Sequence, residues 1–147
     1  MDRLTPALLA FAGGGLLAVQ APINARLKII VGAPILAAAI SFAVGTLFLM
    51  TAVLVTRTGG GISEFGGGPW WAYLGGFCGA VLVTATLVAA PRLGVTTTFV
   101  AVIVGQIGVA AIIDRFGLFG ITARAITPSR IVAICLLGVS LVLLFRE

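Results

Sequence analysis

Five long runs of apolar residues alternate with short polar connections along the chain. A membrane-spanning helix needs about 20 predominantly apolar residues, and each run has about that length. The pattern therefore predicts five transmembrane helices in a single all-α domain, with too little chain between them for a soluble domain. The predicted spans are residues 5–27, 34–55, 69–90, 95–116 and 128–145.

Prolines support these boundaries independently of hydropathy. Proline suits the first helical position, where its missing N–H group is not needed for a hydrogen bond. Thr5 and Thr127 each precede one of these prolines and are predicted N-caps. The first run is interpreted as a retained helix rather than a signal peptide, because it is long and more spans follow. Four of the five runs begin with a proline: Pro6, Pro34, Pro69 and Pro128.

The composition strengthens the membrane interpretation and argues against several other functions. The chain of 147 residues is 61% hydrophobic and only 9% charged, whereas a soluble domain has about 25% charged residues. The net charge of +5 comes from basic residues scattered between the apolar runs, which favours lipid headgroups over nucleic acid as their partners. There is no histidine, and no nucleophile lies beside a base in sequence. We expect no enzyme activity, no metal and no cofactor.

The basic residues do not favour one side of the membrane. With five spans, five lysines and arginines fall on the side of the N-terminus and four on the other. Orientation normally follows an excess of Lys and Arg in cytoplasmic loops. Two interpretations stay open: another cue or a partner orients the chain, or the chain inserts both ways and forms an antiparallel dimer. The basic residues on the side of the N-terminus are Arg3, Arg57, Arg115, Arg124 and Arg130, and those on the other side are Arg26, Lys28, Arg92 and Arg146.

Polar side chains in the first span are the leading candidates for a binding site. Helical spacing places Gln20 and Asn24 on one face. Pro22 lies between them and removes one backbone hydrogen bond, so we predict a hinge there. The two amides either line a cavity or hold helices together by hydrogen bonds. Asn24 also lies near the end of the predicted span, where a polar side chain would need no special explanation.

Further candidates lie in the other spans. Gln106 lies near the middle of the fourth span, and Ser41 lies in the second; both are predicted to contact the same ligand. Asp114 is the only acid in a predicted span, and it either couples protons or forms an interfacial charge pair with Arg115. Small residues are predicted to let helices approach closely, namely Gly13, Gly75 and Gly79.

Several segments together resemble one family. They are "VQAPINARL", "AAAISFAVGT", "WWAYLGGFCGA", "APRLGV" and "VGQIGVAAIIDRFGLFG", and with them the chain resembles the YdcZ-like branch of the bacterial drug/metabolite transporter superfamily. The resemblance implies a multi-pass protein of the bacterial inner membrane. It also implies an EamA-like half-transporter that pairs with itself or with a paralogous short chain. The related small multidrug resistance proteins use a glutamate in their first helix, and this chain has no acid in its first span.

The expected function is transport of a small organic solute by alternating access in an antiparallel dimer. Amides donate and accept hydrogen bonds but do not ionise, which favours a neutral or zwitterionic solute over a bare cation. The main alternative is a non-transporting subunit that stabilises a different short transporter chain. A third alternative is a membrane scaffold in which all the amides form hydrogen bonds between packed helices.

Overall fold

The computed structural model describes residues 4–59, 61 and 66–146, and this part of the chain contains helices and connections but no strand. The five predicted helices are confirmed in number and order. Arg3 and most of the glycine-rich connection between the second and third helices lie outside the described residues. The helices are α1 (Leu4–Val31), α2 (Pro34–Thr56), α3 (Gly75–Leu93), α4 (Val95–Phe116) and α5 (Pro128–Leu144).

Four helical segments of the described chain are long and apolar enough to cross a membrane. Three are α1, α2 and α4, and the fourth is Trp70–Leu93, in which a 3-10 turn leads into α3. The fifth helix is apolar but has 17 residues. At 1.5 Å per residue it is about 26 Å long, slightly less than the roughly 30 Å of a bilayer's hydrocarbon core.

Helix boundaries agree best with the predictions in the second half of the chain. The bounds of α4 match the predicted span at both ends. The predicted N-cap of α5 is also confirmed, because the Thr127 hydroxyl accepts a hydrogen bond of 3.4 Å from the backbone N–H of Arg130. These helix ends are marked by residues that strongly favour helix boundaries: glycines flank α4, and a Thr-Pro pair precedes α5.

Four predicted helix ends differ from those in the structure. Because α1 begins at Leu4, Thr5 lies inside the helix and is not its N-cap, and the helix continues to Val31 rather than ending at residue 27. Pro91 falls in the predicted connection between the third and fourth spans, at residues 91–94, but lies inside α3. Pro69 precedes the 3-10 turn in an extended conformation and does not begin an α-helix. Charged and proline residues therefore occur further inside the helices than the sequence pattern indicates.

The chain divides into two compact units, Met1–Pro91 and Arg92–Glu147. In the first unit, α1 and α2 form a helical hairpin whose connection is only residues 32–33. Gly32 makes this turn with a positive φ of 79°, and its N–H donates to the Lys28 carbonyl at 2.9 Å. Such a short connection holds the two helices antiparallel and in a defined register.

Packing of α2 against α3 forms the apolar core of the first unit. Ala38, Val83 and Leu87 make up this cluster, and Phe42 packs against it. A Cβ atom added to Gly79 would lie 3.3 Å from Cζ of Phe42, so the ring rests directly on the helix at that glycine. A Cβ atom added to Gly13 or Gly75 would meet no atom within 4 Å in the described structure.

The second unit is a hairpin of α4 and α5 joined by residues 117–127. Gly117 ends α4 in the left-handed conformation, with φ 63°, and its N–H donates to the Ile113 carbonyl. The connection then folds back, so that the N–H of Arg124 donates to the Asp114 carbonyl at 2.7 Å. This arrangement positions the end of α4 beside the start of α5.

Candidate functional site

The α1–α2 hairpin brings two predicted site residues into contact. The side-chain amide of Gln20 donates through Nε2 to the Ser41 hydroxyl at 3.4 Å, and both residues are half-buried. This distance is long for an N–H···O hydrogen bond, whose usual value is about 2.9 Å. The contact therefore holds the two side chains on one face of the hairpin without binding them tightly.

Asn24 lies one helical turn beyond Gln20 on the same face of α1. Its exposed fraction is only 3%, and its Nδ2 atom has no hydrogen-bond partner among the described residues. The helix continues for seven residues beyond it, to Val31. Asn24 therefore lies inside α1 rather than at its end, and its side chain is buried by protein within the described structure.

The register of the hairpin explains why the Asn24 amide lacks a partner. Because Gln20 lies opposite Ser41, one further turn along each antiparallel helix brings Asn24 to the level of Ala37. Ala37 is fully buried, and its methyl group can neither donate nor accept a hydrogen bond. Ala21, on the same side of α1, is also buried. By register, the residue opposite Asn24 is thus small and apolar, and its side chain offers no hydrogen-bond acceptor to Nδ2.

Two other buried polar residues, both threonines, have hydrogen-bond partners for their hydroxyl groups. The hydroxyl of Thr86 donates to the Val83 carbonyl at 3.1 Å, and that of Thr98 donates to the Gly94 carbonyl at 2.8 Å. Short hydroxyl side chains can bond to their own helix in this way. Asn24 differs from these threonines because its Nδ2 has no acceptor in the described structure. A buried donor left unsatisfied costs about 1–3 kcal/mol. A ligand that offers an acceptor to Nδ2 would recover that energy.

Gln106 and Asp114 belong to the second unit. Gln106 is exposed on α4, and the structure shows no hydrogen bond for it within the part of the chain it describes. Asp114 is half-buried near the end of the same helix. The structure therefore brings together Gln20, Asn24 and Ser41 on one hairpin, while Gln106 and Asp114 lie on another.

The partner of Asp114 differs from the residue that the sequence suggested. Its Oδ2 accepts from Nη1 of Arg130 at 2.8 Å, across the α4–α5 hairpin, whereas the sequence pattern had pointed to Arg115. The side chains of Arg130 and Asp114 are 40% and 29% exposed, so the pair contributes about 0–1 kcal/mol. Sequence reasoning missed Arg130, although its place in the first turn of α5 indicated that it could reach the last turn of α4.

A metal site has no support in the described residues, because they contain no group of three or more His, Cys, Asp or Glu side chains arranged to hold an ion. Cys78 and Cys135 are free and exposed. The chemistry available at the α1–α2 hairpin is therefore hydrogen bonding by two amides and a hydroxyl.

Comparison with known families agrees with this architecture. A protein-family model described as "Putative inner membrane exporter, YdcZ" matches residues 5–143. Searches of curated proteins and of solved structures give no significant match. The match includes all five helices, and together with their length and hydropathy it makes the chain a multi-pass protein of the inner membrane. It also points to transport rather than to catalysis. The chain therefore belongs to the YdcZ family.

Proposed function

We propose that this protein transports a small neutral or zwitterionic organic solute across the bacterial inner membrane, by alternating access between two antiparallel copies. Gln20, Asn24 and Ser41 are the polar contacts with the solute, and Gln106 is a further predicted contact. The family description supports export in general terms. The solute class, the dimer and the dual topology are our inference.

The observation that carries the proposal is the buried, unpartnered Nδ2 of Asn24. Polar groups inside a membrane protein are costly unless they are paired, and they commonly mark substrate pathways. The neighbouring Gln20–Ser41 contact is long, so a solute that hydrogen-bonds to either group can displace it at little energetic cost. Three groups on one face thus offer donors and acceptors without a fixed charge.

The near-balance of basic residues supports the antiparallel arrangement. Five Lys and Arg residues against four give the membrane-insertion machinery almost no preference for one orientation. Two oppositely inserted copies place the Asn24 groups on either side of a two-fold axis in the membrane plane. Inverted repeats around a central binding site are the usual architecture of secondary transporters.

Flux measurements in liposomes test the solute class. Three radiolabelled probes are compared: an amino-acid mixture for zwitterions, a small-sugar mixture for neutral solutes, and tetraphenylphosphonium for cations without hydrogen-bond donors. We expect protein-dependent flux of the first or second probe but not of the third. Loss of flux in Asn24→Leu and Ser41→Ala would link it to the α1–α2 hairpin.

A matched control separates the site from general effects of removing polarity. Thr51 is exposed on α2, and its hydroxyl donates to the Leu47 carbonyl of its own helix at 2.9 Å. Thr51→Val removes a polar group from the same helix as Ser41, and we expect it to leave flux unchanged. No flux of any probe by folded protein would instead favour the non-transporting subunit, and flux of tetraphenylphosphonium alone would contradict the proposed solute class.

Topology is tested separately with a single cysteine at either terminus, introduced into a Cys78→Ser, Cys135→Ser background. We expect a membrane-impermeant maleimide to label about half of the molecules from each side of the membrane. Labelling of one terminus from one side only would contradict dual topology, without affecting the claim about Asn24.

A further inference from the structure

A cleft between α4 and α5 combines an apolar lining with a charged end. It is a half-open groove with a volume of about 150 Å³. The apolar part is formed by alanines and isoleucines of both helices, and the charged part by Asp114 and Arg130. The apolar lining residues are Ile107, Ala110, Ala111, Ala133 and Ile134.

The geometry of the cleft is that of a site for an amphiphile. Ile107 and Asp114 are seven residues apart on α4, a distance of about 10 Å along the helix axis. The ion pair lies where α4 ends and α5 begins, and helix ends of a membrane-spanning hairpin lie near the headgroup region. A ligand in the cleft would therefore have its polar group near the membrane surface and its apolar part directed toward the hydrocarbon core.

Charge at this end of the hairpin favours an anionic ligand. Arg115 directly follows Asp114, and the backbone N–H of Arg124 bonds to the Asp114 carbonyl. With Arg130, three cations thus accompany one carboxylate at this end of the described hairpin. A guanidinium carries five N–H groups, whereas the contact with Asp114 uses Nη1 of Arg130 alone. The Arg130 side chain is 40% exposed, so part of it can contact a headgroup.

We propose that this α4–α5 cleft binds an anionic phospholipid, with the phosphate at Arg130 and part of one acyl chain along the alanine and isoleucine lining. Basic pockets between transmembrane helices are a recognised way to bind anionic headgroups. Asp114 positions the guanidinium of Arg130 at the mouth of the cleft. Neither the proposed solute site nor the transport cycle is needed for this binding.

Native mass spectrometry of the purified full-length protein in a non-ionic detergent tests the proposal. Phosphatidylglycerol and phosphatidylcholine with identical acyl chains are titrated separately, and the dissociation constant of the first bound lipid is measured. We expect phosphatidylglycerol to bind at least fivefold more tightly, since each basic residue near an anionic headgroup contributes about that factor. Arg130→Gln should remove most of this preference, weakening phosphatidylglycerol binding more than phosphatidylcholine binding, because the phosphate of both lipids contacts Arg130 and only phosphatidylcholine carries a cationic choline group.

The acyl-chain contact has its own variant. Ala110→Phe fills the apolar part of the cleft without changing any charge, and we expect it to weaken binding of both lipids. Two controls match these changes: Arg146→Gln removes a charge at the other end of α5, and Ala43→Phe enlarges an exposed alanine of α2. Both controls should bind the two lipids like the wild type.

Several results would overturn the proposal. Equal affinity for the two lipids, or no effect of Arg130→Gln, would exclude recognition of the anionic headgroup. If inorganic phosphate binds as tightly as phosphatidylglycerol, or if Ala110→Phe has no effect, the cleft does not hold an acyl chain. If Asp114→Asn abolishes binding while Arg130→Gln strengthens it, the ligand is a cationic amphiphile and the assignment is wrong.

Discussion

Replacing Asn24 by leucine tests whether this residue binds a solute or stabilises the fold. Leucine has the same number of side-chain heavy atoms as asparagine and the same branching, so the change mainly removes the amide. In the described structure Asn24 is 3% exposed and the Nδ2 atom of its amide has no partner. If the group serves a solute rather than the fold, its removal should stabilise the protein and stop transport.

The expected size of the stabilisation follows from the cost of the unpaired donor. That cost is about 1–3 kcal/mol in protein interiors. In a membrane protein the lower end applies, because the unfolded chain in the bilayer also finds partners for its polar groups. Leucine must also fit beside Ala21 and Ala37, which reduces the gain further. We therefore expect Asn24→Leu to raise the free energy of unfolding by about 1 kcal/mol, a factor of about five in the equilibrium.

Unfolding by sodium dodecyl sulfate in mixed micelles, followed by circular dichroism, measures this stability change, and liposome flux of the amino-acid and sugar probes measures function. The combination of higher stability with lost flux supports a binding role for Asn24. A decrease in stability of 1 kcal/mol or more would refute the reasoning, because it would mean that the amide is paired in the assembled protein. Asn24 would then be a packing residue, even if flux were also lost.

Three further substitutions test the fold in the same unfolding assay. Leu87 is fully buried in the α2–α3 core, and Leu87→Ala should lower stability by about 2–5 kcal/mol, whereas a loss below 0.5 kcal/mol would argue against this core. A Cβ atom at Gly117 would lie 2.9 Å from the Ile121 carbonyl oxygen, at a φ of 63°; Gly117→Ala should cost at least about 1–2 kcal/mol, and no change would show that the turn differs. Thr127→Ala should cost about 1 kcal/mol through loss of the N-cap of α5, with Thr127→Ser as the near-neutral control.

The helices could be predicted because their determinants are local. Both ends of α4 agree with the predicted span, since Gly94 and Gly117 break the apolar pattern there. The end of α1 could not be predicted in the same way. Arg26 and Lys28 look like residues of a connection, but long basic side chains can extend toward the headgroups while their backbone remains helical. The helix therefore continues past both of them to Val31.

Contacts between side chains of different helices could not be predicted from the sequence pattern. The spacing of Gln20 and Asn24 placed both on one face, but the contact of Gln20 with Ser41 depends on the register of the hairpin, 21 residues away in sequence. The pairing of Asp114 with Arg130 depends likewise on how residues 117–127 fold back. Periodicity describes one helix at a time, so neither partner could be selected from it.

The α1–α2 hairpin itself gives the strongest support for our proposal that Asn24 binds a ligand. Its neighbour Gln20 has one more methylene group and reaches the Ser41 hydroxyl across the hairpin. One turn away, the position opposite Asn24 by register is Ala37, whose methyl group cannot accept a hydrogen bond from the amide. Because natural sequences are locally consistent except where function requires otherwise, a buried donor with no partner in the described structure favours a partner outside the hairpin. In our proposal this partner is a solute with a hydrogen-bond acceptor, which an uncharged donor suits.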